Sequence, residues 1–231
     1  MADLNFSVVY EDDDLLVVSK PQGLPTALGM QISLCELVFN KRPELKAIKG
    51  FREGEGGLLN RLDNETGGLV LFAKHHSAFT LFKEQLKKGF VTKIYSAVVE
   101  GSPPTRKGLI SLPIAHSRKS QRRMVIAGDK QPWRGRPRSA ETKWQVKEEK
   151  NGFCLLEVEI RQGLRHQIRI HLSSQGLPIV GDKLYNKKPS RTAYPYQLLF
   201  CRAVRFPKPS GTCLSIEVPE PFLEIFHQLA G

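Results

Sequence analysis

The sequence predicts an α+β fold in which a few helices flank a central mixed, largely antiparallel sheet. Short β-branched runs and alternating segments outnumber helical patterns, and no repeat recurs along the 231 residues. The hydrophobic share of 40% and the charged share of 25% are typical of a soluble globular protein. This composition excludes a disordered chain, a coiled coil and a collagen-like repeat. We expect one domain over residues 1–231, divided into two lobes around a cleft.

The first half of the chain carries the signals of three strands and two helices. Two β-branched runs divided by acidic residues predict strands over Phe6–Tyr10 and Leu15–Ser19. Two prolines make residues 20–25 a rigid loop. The other elements are a helix capped by Ser33 with Glu36 three residues later, a buried strand over Leu69–Ala73, and a helix from Ser77 with Phe79, Phe82 and Leu86 on one face.

The second half predicts two long strands, a helix and extended loops. Val91–Val99 and Phe153–Ile160 alternate between apolar and polar residues, which is typical of half-buried strands. Pro103-Pro104 and residues 128–138 are the best loop signals. A helix is expected directly after Gly163 and ends at Gly176. This helix places Arg165 and Arg169 on one face.

The charge is strongly and unevenly basic. Thirty-five Lys and Arg against twenty-three Asp and Glu give a formal net charge of +12. Residues 102–145 alone carry eleven basic and two acidic side chains. Such a one-sided surface predicts a polyanionic partner and salt-dependent binding, although a solvated surface with no partner stays open on composition alone.

No nucleotide or metal site is predicted. The glycine-rich segment Glu53–Gly57 lacks the P-loop pattern and its acids repel phosphate, so it is interpreted as a flexible loop. The segment Gly181-Asp182-Lys183 lacks the pattern too. His166 and His171 miss the spacing of a helical zinc pair, and none of the four cysteines forms a C-x-x-C pair.

Asp63 is the candidate for chemistry. It lies in a tight, glycine-terminated turn directly before the predicted strand Leu69–Ala73, where side chains are mounted on a rigid base. A turn without chemistry stays open. An arginine at the edge of a core needs a carboxylate, which makes Asp63 the candidate partner of Arg169, unless Arg165 and Arg169 are a surface pair.

Five segments, in order along the chain, resemble the motifs of RluA-type RNA pseudouridine synthases. The most specific is Arg61-Leu62-Asp63-x-x-Thr66-x-Gly68-Leu69, followed by Phe72-Ala73-Lys74. The others are Lys20-Pro21-x-Gly23-Leu24, Lys93-x-Tyr95-x-Ala97-x-Val99-x-Gly101, Ala140-x-Thr142, and Gly163-x-x-His166-Gln167-Ile168-Arg169-x-His171-Leu172 continued by Gly176-x-Pro178-Ile179-x-Gly181-Asp182-x-x-Tyr185. The resemblance covers residues 6–210 and implies the pseudouridine synthase fold.

The resemblance implies an isomerase that converts a specific uridine of structured rRNA or tRNA to pseudouridine, without ATP, metal or redox cofactor. Asp63 is then the essential carboxylate, Arg169 its ion-pair partner, and Tyr95 the tyrosine that stacks on the target base. Arg61 fills the place of the flipped base in the RNA stack. The remaining expected RNA contacts are Lys20, Arg118, Lys119, Arg122, Arg123, Arg165 and His166, within or beside a basic insertion at about 102–138.

Several positions depart from the family pattern. Asn60 replaces a usual His, Gly68 a usual Ser, Gln162 and Leu164 a usual Thr and Arg, and Phe200-Cys201 a usual His-Ala. These departures motivate an alternative function, an inactive RNA-binding or RNA-chaperone protein on the same fold. The expected enzyme is a cytoplasmic monomer without membrane contact, consisting of the catalytic domain alone.

Overall fold

The computed structural model describes residues 5–27, 29, 32–129, 131–192, 194–207 and 212–229. The chain forms two compact units, Met1–Lys93 with Cys201–Pro219 and Ile94–Phe200 with Glu220–Gly231. The described residues contain both strands and helices in quantity, which confirms the α+β class. The strands are β1 Ser7–Glu11, β2 Leu15–Lys20, β3 Gly67–Ala73, β4 Thr92–Glu100, β5 Lys107–Ser111, β6 Ile114–Ser117, β7 Met124–Ile126, β8 Trp133–Arg138, β9 Glu141–Lys150, β10 Phe153–Ile160, β11 Leu199–Pro207 and β12 Cys213–Glu217. The helices are α1 Leu34–Lys41, α2 His76–Lys87, α3 Gln167–Ser174 and α4 Leu223–Leu229, with short 3-10 turns at Pro43–Ala47 and Pro189–Thr192.

The first unit is built on the strand order β1-β2-β3-β11, with β12 pairing β11. Asp12 closes the β1–β2 hairpin, because its Oδ1 accepts the N–H groups of Asp14 and Leu15 at 3.0 and 2.8 Å. All seven residues of β3 are buried, so this strand is covered on both faces. Phe39 of α1 packs edge-on against Phe72 of β3, with ring centroids 6.3 Å apart.

Local signals fixed the helix ends of this unit as the sequence predicts. The Ser33 hydroxyl accepts the N–H of Glu36, and the Glu36 carboxylate accepts the N–H of Ser33 at 3.0 Å. This reciprocal pair is the predicted capping box. Helix α2 begins one residue before the predicted Ser77, because His75 caps it through Nδ1.

The second unit contains the strand order β4-β10-β9-β5 and a separate three-stranded sheet, β7-β6-β8. Asn151 and Gly152, both with positive φ, form the tight turn between β9 and β10. Residues 133–138, expected to be loop, form β8 instead. This strand lies at the edge of its sheet, where a proline such as Pro137 costs no interior hydrogen bond.

Two further expectations are wrong. Strand β4 does not alternate, because its interior residues are buried on both faces. Helix α3 begins at Gln167 and not after Gly163, because His166 adopts the left-handed region with φ 55°. Arg165 therefore precedes the helix and shares no helical face with Arg169. Residues Glu53–Gly57 form a loop, as expected, and the last three of them are buried. A Cβ on Gly57 would lie 2.1 Å from the carbonyl oxygen of Ala73.

Candidate functional site

Asp63 lies in a turn of the first unit that is anchored to a second segment of the chain. The Thr26 hydroxyl donates to the carbonyl of Leu62 at 2.8 Å and accepts the N–H of Leu62 at 3.2 Å. The Thr66 N–H donates to the carbonyl of Asp63 at 3.0 Å and closes the turn. Asp63 itself is half-buried. The turn before β3 that the sequence predicts is therefore present, and its carboxylate is held on a fixed backbone.

Lys20 lies under this turn and is fully buried. Its Nζ donates to the carbonyl oxygens of Pro21, Leu24 and Asn64 at 3.0, 2.7 and 3.1 Å. Burial lowers the pKa of Lys20 to about 7, and the negative charge of Asp63 opposes that shift. Because the ammonium group is enclosed and its donors are used on backbone carbonyls, Lys20 has no surface to offer a phosphate. The structure places it as a support for the Asp63 turn instead of an RNA contact.

Arg61 forms an ion pair with Glu55 in the same unit. The Glu55 side chain is buried, whereas 37% of the Arg61 side chain is exposed. Glu55 belongs to the glycine-rich segment, so this segment has a partner that its composition does not reveal. The ion pair leaves part of the Arg61 guanidinium accessible while fixing its direction.

Asn60 and Lys93 line a small apolar cavity of the first unit. Asn60 binds the β3 backbone, accepting the N–H of Leu71 at 2.8 Å and donating to the carbonyl of Leu69 at 3.3 Å. Lys93 is buried, and this burial lowers its pKa. The other lining residues are apolar: Leu59, Leu71, Phe82, Leu86, Val91 and Val204. The departure at Asn60 therefore has a structural role in anchoring the Asp63 loop to β3.

Arg169 lies in α3 of the second unit and binds Asp182. Its Nε and Nη2 donate to Oδ2 and Oδ1 of Asp182 at 2.8 and 2.9 Å. Burial alone raises the pKa of Asp182, but the bonds from Arg169 and from the N–H groups of Leu184 and Tyr185 outweigh burial and lower it. A buried arginine is thus held in a two-point contact that fixes the plane of its guanidinium. Sequence reasoning missed Asp182 in this role, although the Gly181-Asp182-x-x-Tyr185 motif had been noted.

Tyr95 lies in the buried interior of β4, with 6% of its surface exposed. The residues on either side of it in β4 are buried as well. The fold therefore places a buried aromatic ring at the position that resembles the family's tyrosine.

The expected RNA contacts of the second unit separate into exposed and packed residues. Arg118, Lys119, Arg122 and Arg165 are exposed on or beside the β7-β6-β8 sheet. Arg123 differs, because its Nη2 donates to the carbonyl of Leu184 and its guanidinium lies over the ring of Tyr185.

His166 is half-buried, and its Nδ1 lies 2.8 Å from the Tyr185 hydroxyl. Sequence reasoning gave Tyr185 no role. The signal that could have found it is its place in the last motif, three residues after Asp182.

His171 is a structural histidine. It is fully buried, with Nδ1 2.8 Å from the Thr142 hydroxyl and Nε2 3.0 Å from the carbonyl of Leu112. Burial lowers its pKa, which disfavours the charged ring. Among the described residues, no three His, Cys, Asp or Glu side chains are grouped to hold a metal ion. No helix in that part of the chain has the length and apolarity to cross a membrane.

Comparison with known proteins shows the family to which the chain belongs. The model of the RNA pseudouridylate synthase family matches residues 14–174. An uncharacterized RNA pseudouridine synthase of Bacillus subtilis is 30% identical over 223 residues, covering 94% of this chain and 70% of the relative. The ribosomal large subunit pseudouridine synthase D of Zymomonas mobilis is 30% identical over 205 residues, covering 87% of this chain and 62% of the relative.

Solved structures agree. Human RNA pseudouridylate synthase domain containing 1 superposes with a TM-score of 0.79 at 26% identity, covering 96% of this chain and 86% of that one. Human RNA pseudouridylate synthase domain containing 4 has the same fold, with a TM-score of 0.74 at 22% identity. The chain spans between 57% and 72% of the length of the curated relatives. It belongs to the RNA pseudouridylate synthase family, whose members are isomerases.

Proposed function

We propose that this chain is an RNA pseudouridine synthase of the RluA type, which isomerises a specific uridine in structured rRNA or tRNA with Asp63 as the essential carboxylate. The observation that carries the proposal is the anchoring of the Asp63 turn. Lys20 binds three carbonyl oxygens beneath it, and Thr26 binds the backbone of Leu62 beside it. In a chain of this family, such a fixed carboxylate on a strand-end turn suits chemistry at a positioned sugar.

The reaction rearranges one nucleotide and consumes nothing. The bond from N1 of uracil to C1′ breaks, the base turns, and C5 bonds to C1′. The proton at C5 is lost and N1 gains one, so the composition is unchanged. Asp63 either attacks C1′ covalently or removes a sugar proton to form a glycal, and both routes need it ionised.

The proposed partners of Asp63 are Tyr95 and Arg169. Tyr95 stacks on the target base, and Arg169 stabilises the carboxylate in a site from which water is excluded. Because the uridine lies in an RNA stack, it must first be flipped out, at a cost of a few kcal/mol. Arg61, whose direction the ion pair with Glu55 fixes, fills the vacated position, since a planar guanidinium stacks on bases.

The basic sheet of the second unit is the proposed RNA-binding surface. Arg118, Lys119 and Arg122 are exposed in the connection between β6 and β7 of this sheet, with Arg165 nearby, and His166 lies at the start of α3. Phosphate contacts from such residues add affinity without reading sequence. The proposed enzyme acts in the cytoplasm as a monomer with RNA as its partner, and it needs no small-molecule cofactor.

Release of tritium from RNA labelled at uracil C5 tests the proposal. The RNA is taken from cells lacking this protein and supplied both as free RNA and as partly assembled ribosomal particles. Wild type is expected to release tritium, and Asp63→Ala is expected to release none. Asp13→Ala, which removes an exposed carboxylate in the first hairpin, is the matched control and retains full release.

The two remaining outcomes are distinct. RNA binding without release by wild type on every RNA would replace the enzyme with the RNA-binding or chaperone function. Equal release by wild type and Asp63→Ala would keep the reaction and remove Asp63 from it. Fractionating the modified RNA then separates rRNA from tRNA as the substrate.

A further inference from the structure

Tyr185 is the meeting point of groups from three segments of the second unit. Its hydroxyl accepts the backbone N–H of Met124 in β7 at 2.7 Å and lies 2.8 Å from Nδ1 of His166. Its ring is buried, and the guanidinium carbons of Arg123 and Arg169 lie 5.4 and 5.3 Å from the ring centroid. Two cations therefore share one aromatic ring, whose electron-rich face attracts both.

The backbone around Tyr185 is tied to the same two arginines. Asp182, which binds Arg169 at two points, also accepts the N–H of Tyr185 at 3.1 Å through Oδ1. Arg123 donates to the carbonyl of Leu184, the residue before Tyr185. A displacement of Arg123 therefore reaches Arg169 by two routes, through the ring and through the Leu184–Tyr185 backbone.

Arg123 belongs to the connection between β6 and β7, at whose tip Arg118, Lys119 and Arg122 are exposed. These three residues and Arg123 were all expected to bind RNA. Only Arg123 turns inward. Its position makes it the link between the surface proposed to hold RNA and the arginine proposed to act in catalysis.

We propose that Arg123 and Tyr185 are positioning residues that couple the basic β6–β7 hairpin to the orientation of Arg169. The inference rests on the proposed function, since it takes Arg169 as a catalytic residue. RNA bound on the hairpin then acts on the rate of isomerisation as well as on affinity. The Tyr185 hydroxyl serves as a hydrogen-bonding group between Met124 and His166, and burial raises its pKa to about 12.

The left-handed backbone of His166 supports this assignment. A non-glycine residue at φ 55° is strained, and such strain persists only where the surrounding contacts hold it. His166 immediately precedes α3, and its ring packs edge-on against Tyr185 with centroids 5.6 Å apart. Tyr185 therefore holds the start of the helix that carries Arg169.

Single-turnover rates at saturating enzyme, measured beside RNA dissociation constants, test the coupling. Tyr185→Leu is expected to slow the rate by about 10- to 100-fold, because a small misplacement of a catalytic group costs that much, while the dissociation constant changes by less than about 3-fold. Tyr185→Phe keeps the ring and is expected to recover most of the loss. Arg123→Gln is expected to slow the rate as well, and combining it with Tyr185→Leu should add little, because both act through one group.

Tyr196→Phe is the matched control, since Tyr196 is a partly exposed tyrosine of the same unit, and it should behave as wild type. A folded Tyr185→Leu variant with the wild-type rate would overturn the proposal. So would a loss confined to the dissociation constant, which would assign Tyr185 to the packing of the hairpin alone. If Tyr185→Leu does not fold, Arg123→Gln decides by the same two measurements, and a wild-type rate for that variant would overturn the proposal.

A second readout is independent of activity. The Nε–H of Arg169, identified in a ¹⁵N-labelled sample by its loss in Arg169→Lys, is expected to be protected from exchange with D₂O by its bond to Asp182. Tyr185→Leu is expected to speed that exchange at least about 10-fold, because without the ring the structure around Arg169 opens more often. Unchanged exchange overturns the positioning role. Absence of turnover in the wild type overturns the proposed function instead. The exchange measurement then still tests whether Tyr185 positions Arg169.

Discussion

Lys20 is a buried amine that is surrounded by hydrogen-bond acceptors. A buried charge is costly unless hydrogen bonds surround it, and here three carbonyl oxygens do so. Two of these carbonyls belong to the segment just after β2 and one to the Asp63 turn. The lysine therefore ties two segments together that are distant in sequence.

We expect Lys20→Met to lower the free energy of unfolding by about 2–3 kcal/mol, because it leaves buried carbonyl groups without a donor. Lys83→Met, at an exposed position of α2, is the matched control and should change little. Urea denaturation followed by circular dichroism measures both. A loss no larger than that of the control would remove Lys20 from its supporting role.

The same variant carries a pH dependence. The pKa of Lys20 is about 7 in the folded chain and 10.5 ordinarily. Between these values the unfolded chain keeps a proton that the folded chain has released, so a rise in pH stabilises the wild type. The stability difference between wild type and Lys20→Met should therefore widen as pH rises through this window, and a constant difference would contradict the assignment.

Gly68 shows a departure from the family pattern that the backbone explains. Its φ is +113°, and a Cβ there would lie 2.3 Å from the carbonyl oxygen of Cys201. The serine usual in the family would be strained twice over at this position, by conformation and by contact. The glycine at this position is therefore explained by the local packing of β3 against Cys201.

At the scale of elements, the β7-β6-β8 sheet runs from a buried strand, β7, to an exposed edge strand, β8. Ile114, Met124 and Ile126 face a cluster with Ile170 and Tyr185. On the solvent side, Arg134, Arg136 and Arg138 of β8 are exposed, and further basic residues are exposed in the β6–β7 connection. A small sheet that is anchored on one side can present its charges in a fixed pattern, which loops of the same composition cannot do.

We expect Arg122→Gln to weaken RNA binding about equally across sequences and to reduce the slope of log Kd against log salt by about 1, since one phosphate contact is lost. Filter binding over a range of salt concentrations measures the slope. Lys83→Gln on α2 removes one positive charge from the first unit and serves as the control. Equal slope changes in the two variants would mean that total charge, and not this sheet, sets the affinity.

Local signals predicted the elements that depend on local chemistry. The hairpin of β1 and β2, the Ser33–Glu36 capping box and the buried strand β3 follow from turn residues, caps and apolar runs. Strand β8 and the late start of α3 depend on tertiary partners. Strand β8 gains its hydrogen bonds from β6, and α3 is displaced by the contacts of His166.

The same distinction between local signals and tertiary partners applies to the candidate site. The motifs singled out Asp63, Arg61, Lys20 and Arg169 by residue type and spacing, but they did not show which atoms each one binds. The pairing of Arg61 with Glu55 joins residues whose shared role no local pattern encodes. The burial of Lys20 could not be read from its position beside a proline-rich loop, where an exposed basic residue is the ordinary expectation.

At the scale of the whole molecule, the net charge of +12 governs how the chain meets RNA. Counterion release makes such binding steeply salt-dependent, whatever the sequence of the RNA. The charge therefore favours rapid encounter with any RNA, and in the proposed function the selection of one uridine falls to the Asp63 site.

We expect the RNA affinity of the wild type to fall by at least about 100-fold between 50 and 200 mM salt, as for a protein with several phosphate contacts. Asp63→Ala should show the same slope, because Asp63 makes no phosphate contact in the proposed complex. Fluorescence anisotropy with one labelled RNA measures both proteins. An affinity that hardly changes with salt would contradict an electrostatic binding surface.

Acylating reagents attack a lysine only when its amine is both neutral and reachable. Most surface lysines are reachable but protonated at neutral pH, whereas Lys20 is enclosed and has a pKa of about 7. Its reaction with such a reagent is therefore limited by the opening of the loop around it and hardly by its basicity. The rate at which a trace amount of reagent labels the Nζ of Lys20, followed by mass spectrometry, therefore measures how often the loop beneath the Asp63 turn opens.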